Sequence, residues 1–220
     1  MSSAQTASRP QKRYTLGEEI ANAVSHGVAA LLGIAALVLL IVRAVQHGGG
    51  AHLAGALLMG ISLIVEYTFS TLYHALSAPR AKQVFRVLDH CGIYLLIAGS
   101  YTPFSLVTLA DHGGVGLTVA VWTVAVVGIL AECLLRERQP MWLTAVVYVA
   151  MGWLALFHVT DLIALLPAPA FWLLLAGGVS YTVGALLYVF KKVPYLHFVF
   201  HLFTLAGSVC ITLSALLFVV

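Results

Sequence analysis

Two pairs of polar side chains, each four positions apart inside an apolar stretch, have the residue types of a metal site. In His197-x3-His201, a helix would place both imidazoles on one face, one turn apart. One helix can offer two ligands to a single metal ion in this way. Ser70-x3-His74 places a hydroxyl one helical turn from a third imidazole. Neutral imidazole suits zinc, and three protein ligands with an open fourth position are typical of a catalytic zinc site.

The composition shows that these side chains belong to a membrane protein. Hydrophobic residues make up 61% of the 220 residues and charged residues 9%, against about 45–50% and about 25% in soluble domains. So few charges cannot cover a globule that faces water. This excludes a nucleic-acid binder, a disordered chain and a disulfide-rich secreted module. The three cysteines lie in apolar segments without a C-x-x-C pair, and we interpret them as buried apolar side chains.

Seven stretches are long and apolar enough to cross a bilayer, and in lipid each must be a helix to satisfy its backbone. They are Ala21–Val45, Leu53–Leu76, Val87–Leu109, Val115–Leu135, Trp142–His158, Ala170–Phe190 and Leu196–Val220. The connecting loops are short and leave no room for a second domain. We therefore predict an all-α membrane protein with a polar cytoplasmic segment at 1–18 and a seven-helix transmembrane domain at 19–220.

The basic residues indicate the orientation of these spans. All but one of the 11 lie before the first span or in alternate loops. They are Arg9, Lys12, Arg13, Arg80, Lys82, Arg86, Arg136, Arg138, Lys191 and Lys192. The exception is Arg43, near the end of the first span. By the positive-inside rule, we expect a cytoplasmic N-terminus and an outside C-terminus in a cell membrane.

With this orientation, polar residues from four spans meet in the inner leaflet. They are Glu19, Asn22, Ser25 and His26 in span one, His74 in span two, Asp89 and His90 in span three, and His197 and His201 in span seven. Intramembrane ionisable residues are costly and mark functional sites. The opposite rim holds Asp111, His112, His158 and Asp161, which we interpret as solvated loop residues.

Several polar residues keep more than one interpretation. His26 and His90 fit either support of a metal ligand or helix packing. Glu66 fits a buried neutral acid, a proton relay or a hydrogen-bond partner between helices. Glu132 has Arg136 four positions later, which favours an interfacial ion pair.

The ordered set of motifs resembles the progestin and adipoQ receptor (PAQR) family, specifically its bacterial hemolysin III branch. The similarity extends from about Tyr14 to the end of the chain. The motifs are Glu19-x2-Asn22-x3-His26, Ser70-x3-His74 followed by Asp89-His90-x-Gly92-Ile93, and His197-x3-His201. Receptor members often have Ser before the first histidine of the last pair, where this chain has Leu196, so receptor-specific contacts are not carried over.

The resemblance implies seven helices with a cytoplasmic N-terminus. It also implies one zinc held by His74, His197 and His201, with Ser70 and Asp89 around its water. The wider set of membrane hydrolases to which the family belongs is similar to alkaline ceramidases.

These observations favour a zinc-dependent intramembrane hydrolase that acts on a lipid amide or ester. Asp89 would exchange a proton with the attacking water and the leaving group, and Ser70 would orient that water or stabilise the oxyanion. The alternative is a non-enzymatic membrane sensor or receptor with structural zinc, which would require a protein partner. An ion or proton pathway through Glu66, His74 and Asp89 is less favoured, because the outer half lacks a matching polar chain. The expected partner is a membrane lipid.

The orientation can be tested with topology reporters. A reporter fused after Val220 should be active outside the cytoplasm, and one inserted at Arg138 should be active inside, because the basic loops remain on the cytoplasmic side. The opposite pair of results would place the histidine cluster in the other leaflet.

Overall fold

Every regular element is a helix in the residues that the computed structural model describes, which are 14–135, 140–190 and 193–220. The α-helices are α1 (Leu16–His47), α2 (Gly50–Ala75), α3 (Pro79–Pro103), α4 (Gly114–Leu135), α5 (Met141–Gly152), α6 (Val159–Leu165), α7 (Ala168–Val189) and α8 (Leu196–Phe218). Among the described residues, seven helical spans are long and apolar enough to cross a membrane, because α5 and α6 form one span. The predicted all-α, seven-span fold is confirmed. Its orientation stays a prediction, and most of the expected polar segment at 1–18 lies outside the described residues.

Helix α1 begins at Leu16, earlier than the predicted start at Ala21. The Thr15 hydroxyl accepts a hydrogen bond from the Glu18 backbone, while the Glu18 carboxylate accepts one from the Thr15 backbone at 2.8 Å. This reciprocal capping box satisfies two backbone donors that a helix start leaves open. As a result Glu19 lies in the first helical turn, at the level of the histidines.

The interior of the bundle is formed mainly by α2, α3 and α8, which bury the largest shares of their residues. Small residues let these helices approach: a Cβ on Gly99 of α3 would collide with the Leu58 backbone oxygen of α2. Helix α1 instead exposes large apolar side chains such as Leu31 and Val38 along its length. The helices of this interior carry His74, Asp89, His197 and His201, and α1 contributes polar side chains near its start.

Pro103 ends the α-helical pattern of α3. A wider π-helical turn follows at Phe104–Thr108, with the Leu109 backbone N–H donating to the Phe104 carbonyl at 2.9 Å. Proline lacks a backbone donor, and such local adjustments satisfy the backbone groups that it leaves open. The span continues through this turn to Thr108.

The fifth span is longer than predicted, reaching Leu165 rather than His158. It contains a 3-10 turn at Leu154–His158, where the Tyr101 hydroxyl accepts from the Ala155 backbone and donates to the Gly152 carbonyl. Tyr101 thereby satisfies backbone groups where the α-helix is interrupted.

His158 and Asp161 consequently lie in a half-buried helical segment, which corrects their interpretation as solvated loop residues. They tolerate this position because Asp161 contacts His112 at 3.4 Å and His158 at 3.8 Å.

Tyr195 connects α7 to α8 in a left-handed conformation, with φ of 58°. A non-glycine residue there carries a steric cost, so it requires support from its surroundings. Its backbone N–H donates to the Glu18 carboxylate at 3.0 Å. This bond ties the start of α8, and with it His197, to the start of α1.

Candidate metal centre

The imidazoles of His74, His197 and His201 converge on one point at the end of the bundle where α1, α3 and α8 begin. Nε2 of His197 lies 3.2 Å from Nε2 of His74 and 3.2 Å from Nε2 of His201. One nitrogen from each ring lies within 4.8 Å of the other two. His74 and His201 are buried, whereas His197 is half-buried. The structure thus brings together the three predicted ligands, from two helices.

Hydrogen bonds to the far side of two rings determine what the cluster offers. Nδ1 of His74 lies 2.7 Å from the Glu19 carboxylate, which can only accept when ionised, so Nδ1 carries the proton. The Ser25 hydroxyl donates to the Asn22 carbonyl, and its oxygen therefore accepts from Nδ1 of His201 at 3.3 Å. These assignments follow from the partners. In neutral rings they leave the lone pair of each Nε2 directed toward His197.

The separations fit a metal ion. A proton on Nε2 of His197 could form a hydrogen bond to Nε2 of only one of the other two histidines. A cation, in contrast, would attract the lone pairs of all three Nε2 atoms. Tetrahedral ligands at a Zn–N distance of about 2.0–2.1 Å would lie about 3.3 Å apart. The observed 3.2 Å contacts match this spacing. Imidazole is a good ligand for zinc, copper, iron and nickel, so the donor set could hold one such ion.

Helix α1 supplies the side chains that orient the ligands, a role that the sequence analysis did not assign. Glu19 contacts Nδ1 of His74, and Ser25 contacts Nδ1 of His201. The other oxygen of Glu19 accepts from Lys82 of α3 at 2.5 Å, which holds the carboxylate in place. Carboxylate partners of this kind fix ring orientation and raise ligand basicity. The early positions of α1 and the H-x3-H spacing were available as signals, but neither one shows their contact.

His26 stacks on His201 with ring centroids 3.6 Å apart and meets the edge of Tyr67 at 4.9 Å. It is buried, and neither ring nitrogen has a hydrogen-bond partner among the described residues. Of the two interpretations of His26, its contacts favour packing.

At the mouth of the site Tyr14 stacks on His197 with ring centroids 5.0 Å apart. Burial raises the pKa of Tyr14 above its ordinary value, so its hydroxyl stays protonated at neutral pH.

Ser70 and Asp89 lie beside the histidines without joining the cluster of mutually close ligand atoms found in the described residues. Asp89 is buried and within electrostatic reach of both Ser70 and His74. The buried Ser70 hydroxyl lies within hydrogen-bonding reach of this carboxylate, so the two side chains form a polar pair next to the cluster.

Glu66 lies on α2 one helical turn before Ser70. A Cβ on Gly92 would collide with its carboxylate, so glycine at that position admits Glu66 between α2 and α3. One carboxylate oxygen, Oε2, has no hydrogen-bond partner among the described residues. Glu66 lies within electrostatic reach of Asp89. The three interpretations of Glu66 remain open.

An apolar cavity of about 180 Å³ adjoins the cluster, between α3, α5, α7 and α8. At the near end it is lined by Tyr188 and Phe200, whose ring centroids lie 5.9 Å and 5.3 Å from that of His197. At the far end it reaches Leu109 and Leu162, near the other surface of the bundle. Such a cavity fits a hydrocarbon chain whose polar end lies at the histidines.

The family model for haemolysin-III related proteins matches residues 14–212. The chain is 41% identical over 202 residues to "Hemolysin-3" of Bacillus cereus, covering 92% of each protein. It is 39% identical over 207 residues to "Hemolysin-3 homolog" of Bacillus subtilis (strain 168), covering 94% of this chain and 97% of that one.

The role of Glu19 can be tested by Glu19→Gln. The amide keeps the size of the side chain but loses the charge that holds the Nδ1 proton of His74 in place. We expect metal affinity to fall by about 10–100-fold, measured by competition with a chromophoric chelator. The control is Asp161→Asn at the opposite rim, which should leave affinity unchanged. Equal affinity of Glu19→Gln and the original protein would remove Glu19 from the metal centre.

Proposed function

The chain belongs to the haemolysin III family, and from this premise we propose that it is a zinc-dependent intramembrane hydrolase acting on a lipid amide or ester. It is a multi-pass protein of the cell membrane. The observation that carries the proposal is the convergence of three imidazole nitrogens beside an apolar cavity.

Zinc is the ion proposed for this centre. Three neutral imidazoles suit it, and a set of three protein ligands leaves a fourth position open, as in catalytic zinc sites. When bound there, zinc would lower the pKa of a bound water to about 7 and make hydroxide available at neutral pH.

Asp89 and Ser70 are proposed to handle the proton and the developing charge. The Asp89 carboxylate would take a proton from the attacking water and later deliver it to the leaving amine or alkoxide. The Ser70 hydroxyl, which faces Asp89, would orient the water or donate to the oxyanion. Both residues are buried, and electrostatic interactions are stronger where water is excluded.

The cavity supports a lipid as the substrate. Its apolar walls would hold an acyl chain, while the carbonyl at the head of that chain would lie near Tyr188 and Phe200, next to His197. This arrangement gives the acyl chain and the reacting group separate environments.

The second candidate is a non-enzymatic sensor or receptor with structural zinc. It is favoured by the way the centre links helices: Lys82 of α3 holds Glu19 of α1, which holds His74 of α2, which meets His197 of α8. Metal binding at such a junction would contribute to folding.

The zinc content tests the metal. Purified protein should contain about one zinc per chain, and the double change His197→Ala, His201→Ala should remove most of it, because two of three ligands are lost. His112→Ala is the matched control, since this histidine lies at the opposite rim and should not affect zinc. Full zinc occupancy in the double variant, measured by mass spectrometry of the metal, would exclude this site.

Asp89→Asn separates the two candidate functions. Because the amide cannot accept a proton, we expect hydrolysis to fall by about 10²–10⁴-fold while zinc content and melting temperature stay close to the original. If Asp89 instead completes a closed structural site, the same change should lower zinc content and melting temperature together. Zinc loss with intact hydrolysis in the remaining metal-bound fraction would refute the role assigned to Asp89.

A further inference from the structure

A second polar network lies next to the metal centre and is centred on His90. Its Nδ1 lies 3.3 Å from one carboxylate oxygen of Glu132, and its Nε2 lies 3.2 Å from the Tyr188 hydroxyl. The other carboxylate oxygen of Glu132 accepts from the Thr144 hydroxyl at 3.1 Å. Arg136, the expected ion-pair partner of Glu132, lies outside the described residues. His90 therefore bridges α4 and α7 and does not contact the histidine cluster through these bonds.

The chemistry of the partners sets the direction of these hydrogen bonds. We take Glu132 as ionised; its carboxylate then only accepts, so the single proton of a neutral His90 ring lies on Nδ1, facing Glu132. Nε2 of the neutral ring is then an acceptor, and the Tyr188 hydroxyl must donate to it. A phenol has one proton and two lone pairs. Once that proton is committed to His90, the Tyr188 oxygen can only accept hydrogen bonds from other groups.

Tyr188 occupies the position where this property matters. It lines the apolar cavity at the end next to the metal centre and also lines the small pocket formed with Tyr14 and His197. Its ring packs against Phe200 with centroids 5.2 Å apart, which fixes its place between the cavity and the cluster. A chain in the cavity with its reacting carbonyl at the histidines would bring its headgroup past this oxygen.

We propose that Tyr188 determines specificity by accepting a hydrogen bond from an N–H or O–H group next to the reacting carbonyl of the lipid. Glu132 and His90 act as positioning residues that keep the Tyr188 hydroxyl oriented away from that group. The inference rests on the proposed function for the identity of the ligand as a lipid. It assigns Glu132, His90 and Tyr188 one shared task that neither the metal nor Asp89 performs.

The test uses two probes that differ by one hydrogen-bond donor. They are N-butyl dodecanamide with a fluorophore at the acyl end, and its N-methyl analogue, which lacks the N–H. Binding to the full, zinc-loaded protein in lipid nanodiscs is measured by rapid mixing, before turnover, and release of the amine is measured afterwards. The original protein should bind the N–H probe about 3- to 10-fold more tightly, as expected for one hydrogen bond. Equal binding of the two probes would overturn the proposal.

Tyr188→Phe removes the acceptor and keeps the ring, so the ratio of the two affinities should fall to about one. Tyr101→Phe is the matched control, because Tyr101 lines the same cavity but its hydroxyl bonds to Gly152 and Ala155. It should leave the ratio as in the original protein. A Tyr188→Phe variant with the original ratio, or a Tyr101→Phe variant with an equal loss, would overturn the proposal.

Glu132→Gln tests the positioning residues without changing Tyr188. Thr144 donates to Oε1 of Glu132, so the new amide group would place its oxygen toward Thr144 and its NH₂ toward Nδ1 of His90. The His90 proton would then move to Nε2 and donate to the Tyr188 oxygen, which frees the Tyr188 proton to turn toward the ligand and oppose its N–H. The affinity ratio should fall toward one with zinc content unchanged, whereas the original ratio would overturn the positioning role.

The two readouts separate this inference from the proposed hydrolase. Tyr188-dependent discrimination in binding, without amine release from either probe, would support the inference and count against hydrolysis. Amine release from both probes at equal rates and affinities would support hydrolysis and overturn the inference.

Discussion

The proton on Nδ1 of His74 is the feature on which the metal centre depends. The Glu19 carboxylate oxygen that accepts this proton lies 2.7 Å from Nδ1. Nε2 of the same ring is thereby left with a lone pair that faces His197. Without that bond the imidazole could carry its proton on the inner side and would no longer be a ligand. A carboxylate inside a membrane-spanning helix is costly, and it persists here because Lys82 accompanies it.

The beginning of α1 is arranged to supply this carboxylate. The capping box at Thr15 and Glu18 starts the helix early enough to place Glu19 at the level of the cluster. Glu18 also accepts from the backbone of Tyr195, in the left-handed turn from which α8 and His197 begin. One acidic pair therefore positions ligands on two other helices. Along the rest of its length the same helix exposes large apolar side chains such as Leu31 and Val38.

The sequence was sufficient for the helices and for the histidine pair of α8, because both depend on local patterns. Apolar length predicts the spans, and four-residue spacing places His197 and His201 on one face of α8. Hydropathy fails where polarity and helix coincide: it ended span five at His158, although ion pairs around Asp161 let the helix continue. It also missed the early start of α1, which depends on a cap rather than on apolar residues.

Contacts between distant helices were beyond reach of the sequence. Glu132 has a basic residue one turn away, yet in the described residues it bonds to His90 and Thr144, 42 and 12 positions distant. Only the positions of α3 and α5 beside α4 reveal this. The cavity is likewise a property of several helices together, so no single segment predicts it.

Two carboxylate–imidazole pairs of the same composition therefore have different roles in this bundle. Glu19 with His74 and Glu132 with His90 each bring a carboxylate oxygen to Nδ1, and an ionised carboxylate there leaves the lone pair of a neutral ring on Nε2. At His74 that lone pair meets two further imidazoles, an arrangement that favours a cation. At His90 it meets the Tyr188 hydroxyl, which already brings a proton, and this favours a fixed hydrogen bond. What distinguishes a metal ligand from a positioning residue here is the group opposite Nε2, and that is set by helix packing.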